Sequence, residues 1–348
     1  MPEAVLSLGA RPRYVDVEAA SPNMDADDLA QKIGPQTRAV VIQHTFGLPA
    51  DVSRLVAIAR EHGVPVVEDC AHTLGSRVDG RRVGSFGVAA FYSFEASKPV
   101  FVGIGGSAVC NDPLLAAALD SEYPRYREPS AMVQLQLAAM FLAHRVAYRP
   151  STYWSVRRLF RALVAAGLIR GNYNEVAEVS GGNDHGVDTP AADDAPGGAT
   201  QPATDFTRRM GIVQAHLLRL ALEDLSAGNA HRRWVGSQYR TRIRAPGISH
   251  LPVPANVEPV FGRYPIMVDN KAELVEGARD AKVELADFYA TPVHPLKGGE
   301  LRRIGYEPRS CPRAEWIADR IVSLPTGRQV NDRQVERAVR YLNDSGAG

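Results

Sequence analysis

Three cysteines in 348 residues, Cys70, Cys110 and Cys311, are too few and too scattered for a disulfide framework or a zinc site, and no metal is expected. Neither sign of charge dominates. Forty basic residues against 39 acidic ones leave a net charge of +1, so no general field draws in nucleic acid or an anionic membrane. Aromatic residues are sparse at 7%, and no basic stripe carries them, which argues against a nucleic-acid-binding module. The opening residues, MPEAVLSLGA, have no basic stretch leading into a long apolar run, so the expected location is the reducing cytoplasm. Uninterrupted apolar runs are also missing. Segment 131–148 is broken by Gln134, Gln136, His144 and Arg145, short of the roughly 18 uncharged residues a span needs, and reads as a buried or partner-facing helix.

What the chain does have is enough apolar material, 45%, to bury a substantial core in two domains or one large one. Its first third alternates in period. Segments 12–17 and 38–44 read as short strands, β-branched and apolar with polar flanks. Between them, 25–33 reads as a helix with acidic residues in its first turn. Segment 51–62 repeats Val52, Leu55, Val56 and Ala59 at helical spacing and ends at Gly63. Segment 64–68 is then a buried strand, and 89–94 and 106–110 add two more. Strand, helix, strand in that rhythm predicts an α/β fold with a mostly parallel sheet. From 113 to 173 the pattern is helical. Residues 180–204 are rich in Gly, Pro, Asp and Ala and hold too little apolar surface to offset ordering, so a mobile insertion is expected there. An amphipathic helix at 210–225 follows. Beyond it, a strand at 264–268 and helices at 273–282 and 332–342 suggest a smaller α/β unit.

The most informative local signal is 66–72, VVEDCAH, where a buried strand runs into an acidic pair. Asp69 sits at its carboxyl end, the edge where open parallel sheets bind ligands. Capping the next turn would be the plainer role for such an aspartate. The odds shift with FYSFEASK at 91–98, where a strand ends in Ser93 and Lys98 follows on a short loop, with GIGG at 103–106 beyond. That glycine run fits neither a P-loop nor a dinucleotide fingerprint.

In this order the motifs resemble the DegT/StrS-type family of pyridoxal phosphate-dependent sugar aminotransferases. The likeness begins at GARP (9–12) and continues through TRAVVIQHTFG (37–47), EDCAHTLG (68–75), GRRVG (80–84) and Ser93 to Lys98. Later matches are Arg209 and Met210, Gln214 and Ala215, Tyr264 and Pro265, VHPL (293–296) and IVSLP (321–325). The resemblance implies an α/β fold of the fold-type I, aspartate aminotransferase-like kind. It implies a large cofactor-binding domain over 1–225, a small domain over 226–348, and a homodimer with a shared site. By the same resemblance Lys98 anchors the cofactor aldehyde and Asp69 faces the pyridine nitrogen. His72 then lies beside the ring, Ser93 binds the phosphate, and His294 and, more weakly, Tyr289 lie near the sugar. A lysine at position 98, where a histidine would indicate the sugar dehydratases, favours transamination onto a keto-sugar nucleotide. Glutamate is the donor the family implies.

The pattern departs from relatives in two places. Their chains begin earlier, with a helix whose N-terminus binds the cofactor phosphate, and residues 1–4 are expected to lie in a helix after that point. Thr207 stands where relatives carry a longer asparagine that reaches the phosphate of the partner subunit. Two other readings therefore stand beside the enzyme: a non-catalytic dimerisation or regulatory relative, and a protein running other pyridoxal phosphate chemistry such as dehydration.

Overall fold

The computed structural model describes residues 1–95, 98–103, 105–147 and 208–345, with a few positions between 155 and 162. The predicted insertion at 180–204 and Thr207 lie outside the described residues. Helix α1 (Pro2–Ser7) opens the chain, where a helix was expected, and Met1 and Pro2 reach the cavity described below.

The expected strand at 12–17 does not form. Its one ladder contact is an isolated bridge from Val17 to Met24. The reason lies in the partner Asp16 finds: its carboxylate accepts from the backbone N–H groups of Arg313 and Ala314, at 3.1 and 2.9 Å, so the segment docks on a distant helix start instead of a strand. Helix α2 (Ala26–Lys32) is capped by Asp25, which accepts from the N–H groups of Asp27 and Asp28. Helix α3 (Val52–Glu61) is capped by Asp51 in the same way.

These helices cover a four-stranded sheet in the order β1 (Val40–Gln43), β2 (Val66–Asp69), β5 (Ala89–Ser93), β6 (Gly106–Cys110). Two short strands, β3 (Arg77–Val78) and β4 (Arg81–Arg82), fall between β2 and β5 in sequence. The first three members of the large sheet run parallel, and β6 runs antiparallel to β5. No described helix connects β5 to β6, and a parallel return needs a crossover of a dozen or more residues, usually a helix. Leu29, Ile33, Val40, Ile42, Val52, Leu55 and Val66 form the core on this side.

Helix α4 (Pro113–Glu122) lies against β6, and α5 (Ala131–Ala147) packs on α6 (Ile212–Glu223). Among the described residues no helix is long and apolar enough to cross a membrane. Helix α7 (Leu225–Arg242) leads into a second core. There β9 (Arg263–Val268) lies between β7 (Ile248–His250) and β10 (Ile321–Pro325), antiparallel to both. Strand β8 (Val257–Glu258) instead pairs with β3, tying the later part of the chain to the loop after β2. Helices α8 (Lys271–Asp280), α9 (Gly299–Arg303), α10 (Pro312–Ala318) and α11 (Asp332–Ser345) complete this half. Val235, Tyr239, Ile266, Leu324, Val335 and Leu342 are fully buried or nearly so, and Phe46 and Leu48 from the first half pack into the same cluster.

Candidate active site

The register of the parallel strands makes the site. Gln43 pairs with Asp69, and Asp69 with Phe91, so β1 and β2 end level and β5 runs two residues further, to Ser93, at the same edge. Successive residues of a strand face opposite sides, and the acidic pair on β2 divides accordingly. Glu68, fully buried, turns toward the loop after β4. It accepts from the N–H groups of Gly84 (2.6 Å), Phe86 (2.6 Å) and Gly87 (2.8 Å) and from Nε2 of His44 at 3.2 Å. Burial works against its ionisation, but the bonds from His44, Gly87 and Gly84 outweigh it and hold the carboxyl below its ordinary range. His44 in turn accepts from Ala50 N through Nδ1 at 3.1 Å. Ligand-type atoms of His44, Glu68 and Cys70 lie within 4.8 Å of one another, yet both histidine nitrogens and both Glu68 oxygens are engaged in this bracing.

Asp69 faces the other way, into a cavity of about 450 Å³. Its carboxylate accepts from Ala71 N at 2.9 Å. Burial raises its pKa, and the hydrogen bond from Ala71 and the charge of Lys98 offset the rise only in part. Lys98 lines the same cavity, its Nζ 3.3 Å from Glu95 Oε1 and its side chain 12% exposed. The two groups on which the aminotransferase reading most depends therefore share one cavity, within electrostatic reach of each other.

Around them stands an aromatic wall. The Phe46 ring lies edge-on to Tyr289, centroids 5.3 Å apart, and the rings of His72 and His294 each lie 6.4 Å from Tyr289. Desolvation, and secondly the Lys98 ammonium, push His72 down to about 3, so its ring is neutral in the working range. Burial also lowers the pKa of His294, outweighing the opposing charge of Asp287 with some help from Lys271 and Lys297, and its Nδ1 accepts from Ala290 N at 3.3 Å. The fold thus brings Asp69, His72, Lys98, Tyr289 and His294 to one cavity, from segments more than 200 positions apart. Ser93 is placed differently. It ends β5 opposite Gly106, half-buried, and is not among the residues lining this cavity.

Gln43, Phe46, Arg263 and Phe288 also line it; the first two lie in the 37–47 motif, but none of the four was assigned a role from sequence. Gln43 could have been found as the last residue of a buried strand. Phe46 could not, because its place depends on a left-handed backbone (φ 58°) in a turn that Gly262 N braces by donating to its carbonyl at 3.0 Å.

A mixed sheet with its ligand cavity at the carboxyl edge, backed by a second antiparallel sheet, defines an α/β protein of fold-type I. Solved structures agree. The chain superposes on DesV of S. venezuelae, determined in complex with a ketimine intermediate, with a TM-score of 0.70 over 99% of this chain and 75% of that one, at 24% identity. A family model described as the DegT/DnrJ/EryC1/StrS aminotransferase family matches residues 2–122 and 177–343, and the chain belongs to that family. Among curated proteins it is 26% identical to a UDP-N-acetyl-3-dehydro-alpha-D-glucosamine 3-aminotransferase of Acidithiobacillus ferrooxidans, over 96% of this chain and 72% of that protein. It is 27% identical to a dTDP-3-amino-3,4,6-trideoxy-alpha-D-glucose transaminase of Streptomyces venezuelae, over 97% and 71%. The chain thus spans about three quarters of the length of these relatives.

Pyridoxal phosphate is the cofactor of the family. The donor set suits the ring end of that molecule. A buried carboxylate whose pKa burial raises faces the cavity, an amine lines the same cavity, and aromatic side chains stand around them.

Proposed function

We propose that this protein is a pyridoxal phosphate-dependent aminotransferase that transfers an amino group, from glutamate as donor, to a keto-sugar nucleotide used in polysaccharide or glycoside synthesis. The observation that carries the reading is the common cavity of Asp69 and Lys98 at the carboxyl edge of β1, β2 and β5. The sugar nucleotide follows from what the similar proteins are named for acting on.

When bound, the cofactor supplies an aldehyde and an electron-accepting pyridinium ring. Lys98 Nζ would hold the cofactor aldehyde and would be the amine placed to move a proton at the substrate carbon. The Asp69 carboxylate would hold a proton on the cofactor's ring nitrogen, and pairing with that charge would offset the cost of its own burial. His72, neutral, serves as a hydrogen-bonding group and not as a base. Phe46 and Tyr289 would exclude water from the cavity around the cofactor. Ser93 is assigned to the phosphate and His294 to the sugar on the family pattern, with Tyr289 acting at the same end.

The large unit is taken as 1–225 and the small one as 226–348, a division supported by the break between α6 and α7 at Asp224. A cytoplasmic homodimer accounts for the apolar side chains exposed on α4, α5 and α6. A lysine poised opposite a buried carboxylate favours the enzyme over a non-catalytic relative.

The absorbance spectrum with added pyridoxal phosphate tests this. The wild type is expected to show the band of a lysine-linked cofactor, Lys98→Ala to lose it, and the wild type to convert a keto-sugar nucleotide in the presence of glutamate. A wild type without the band, or a Lys98→Ala variant that retains it, sinks the assignment.

A further inference from the structure

Two hydrogen bonds converge on Nδ1 of His72, from the backbone N–H of Phe46 and from the Tyr289 hydroxyl, each at 3.4 Å. A backbone N–H can only donate, so Nδ1 carries a lone pair. The ring is neutral, as burial beside Lys98 requires, and its single proton therefore sits on Nε2. With Nδ1 accepting, the Tyr289 hydroxyl must donate to it. Its oxygen is then left to accept from Gln43 Nε2, 3.3 Å away. Each link constrains the next, and the chain of bonds has one direction: amide, phenol, imidazole.

The surroundings hold every member of that chain. Gln43 closes β1 in register with Asp69. The turn that aims the Phe46 N–H is pinned by Asn23, which accepts from Thr45 N at 2.9 Å, and by Ser76, whose hydroxyl donates to Gly47 O at 3.0 Å. A Cβ at Gly47 would meet Val260 O at 2.1 Å, so this turn packs directly on the later half of the chain. On the far side, Lys271 Nζ donates to the carbonyl of Tyr289 at 3.0 Å and pairs with Asp287 at 2.5 Å, anchoring the 287–289 segment to α8.

We propose that Tyr289 and Gln43 are positioning residues that fix His72 as an Nε2–H donor at the cavity, acting on the reaction through that ring. This rests on the aminotransferase reading for its purpose, but the tautomer belongs to the protein alone. It also makes the ring the joint between the sheet edge and the C-terminal half, because the phenol is carried by one and the imidazole by the other.

The test is a long-range proton–nitrogen correlation spectrum of cofactor-free protein labelled with ¹⁵N-histidine, with the His72 signals assigned by their loss in His72→Gln. The wild type is expected to show a proton on Nε2 and a hydrogen-bonded lone pair on Nδ1. In Tyr289→Phe, which keeps the ring and its packing, the Nδ1 resonance should move toward that of a free lone pair, and Gln43→Met should move it less in the same direction. Pyridoxal phosphate, titrated by absorbance, should bind Tyr289→Phe roughly fivefold more weakly, the effect of one ordinary hydrogen bond. A proton on Nδ1 in the wild type, or a Tyr289→Phe spectrum with the His72 signals unmoved, overturns the proposal. Failure of the wild type to bind the cofactor would instead overturn the assigned reaction, since the tautomer is read without it.

Discussion

The carboxyl edge of the first sheet and the helical flank beside it are built on opposite terms. At the edge, polar groups are buried and partnered: Glu68 takes four donors, His44 uses both nitrogens, and Thr45, Ser76 and Asn23 lock the turn after β1. On the flank, α4 buries no residue and α6 buries only Gln214, while Leu114 and Ile212 stand 83% and 78% exposed. The edge derives its rigidity from within the chain. The flank carries apolar surface for which nothing among the described residues provides cover. A site that must hold two charged groups in fixed relation is placed on the first kind of structure.

The largest effect should come from breaking the edge. Glu68→Gln puts an amide N–H among donors that already point at the carboxylate, and should lower stability by about 3 kcal/mol or more, read from the midpoint of urea unfolding. Because its folded pKa is depressed, the stabilisation from Glu68 is present above the carboxylate's unfolded pKa and is lost as pH falls through the folded value. A Glu68→Gln variant unfolding at the wild-type midpoint would mean the edge is not held as described. Gly47→Ala should cost about 2 kcal/mol by the same measurement, since φ is +89° and the added methyl meets a backbone carbonyl.

How much of this was legible follows from the range of the contacts involved. Segment 66–72 announced its strand and the strand's carboxyl end at Asp69, because both are local: a β-branched apolar run, then a polar break. Helix α2 was legible from the acidic residues of its first turn, and α3 from its apolar spacing and the glycine that ends it. The failed strand at 12–17 was not, because Asp16 is claimed by N–H groups about 300 positions away. Nor was the antiparallel turn of β6, which depends on what the connecting loop lacks. In the site, Lys98 and Asp69 stood out through family motifs, whereas the partners of Tyr289 lie 217 and 246 positions away and no local pattern encodes them.

Asp69→Asn sharpens the contrast within the edge itself, because here function and stability oppose each other. Burial raises the Asp69 pKa above that of the unfolded chain. Its charge therefore destabilises the cofactor-free protein above the folded pKa, and the penalty fades as pH falls below it. The variant is expected to unfold at a slightly higher temperature than the wild type at pH 7, by about 1 kcal/mol, and to lose that advantage in acid. Its affinity for pyridoxal phosphate should fall at least tenfold, as expected when a charged partner is removed. Calorimetry across pH, with and without cofactor, separates the two effects. An Asn variant less stable than wild type at pH 7 would show that Asp69 is a brace like Glu68.

The smallest effect on stability should come from the flank. Leu135 on α5 is 65% exposed and Ile212 opens α6 nearly bare, so Leu135→Ser and Ile212→Ser remove little buried area and should change the unfolding free energy of the isolated chain by under about 0.5 kcal/mol. Their effect belongs to association. If a second copy covers α5 and α6, each substitution removes apolar contact from that interface, and sedimentation should show the dimer dissociating at higher protein concentration than the wild type. The double variant should shift it further while Glu68→Gln, at equal folded concentration, should not. A flank variant that lost as much stability as the edge variants while remaining monomeric would mean that these helices are packed from within the chain after all, and the division between a self-sufficient edge and a partner-dependent flank would fail.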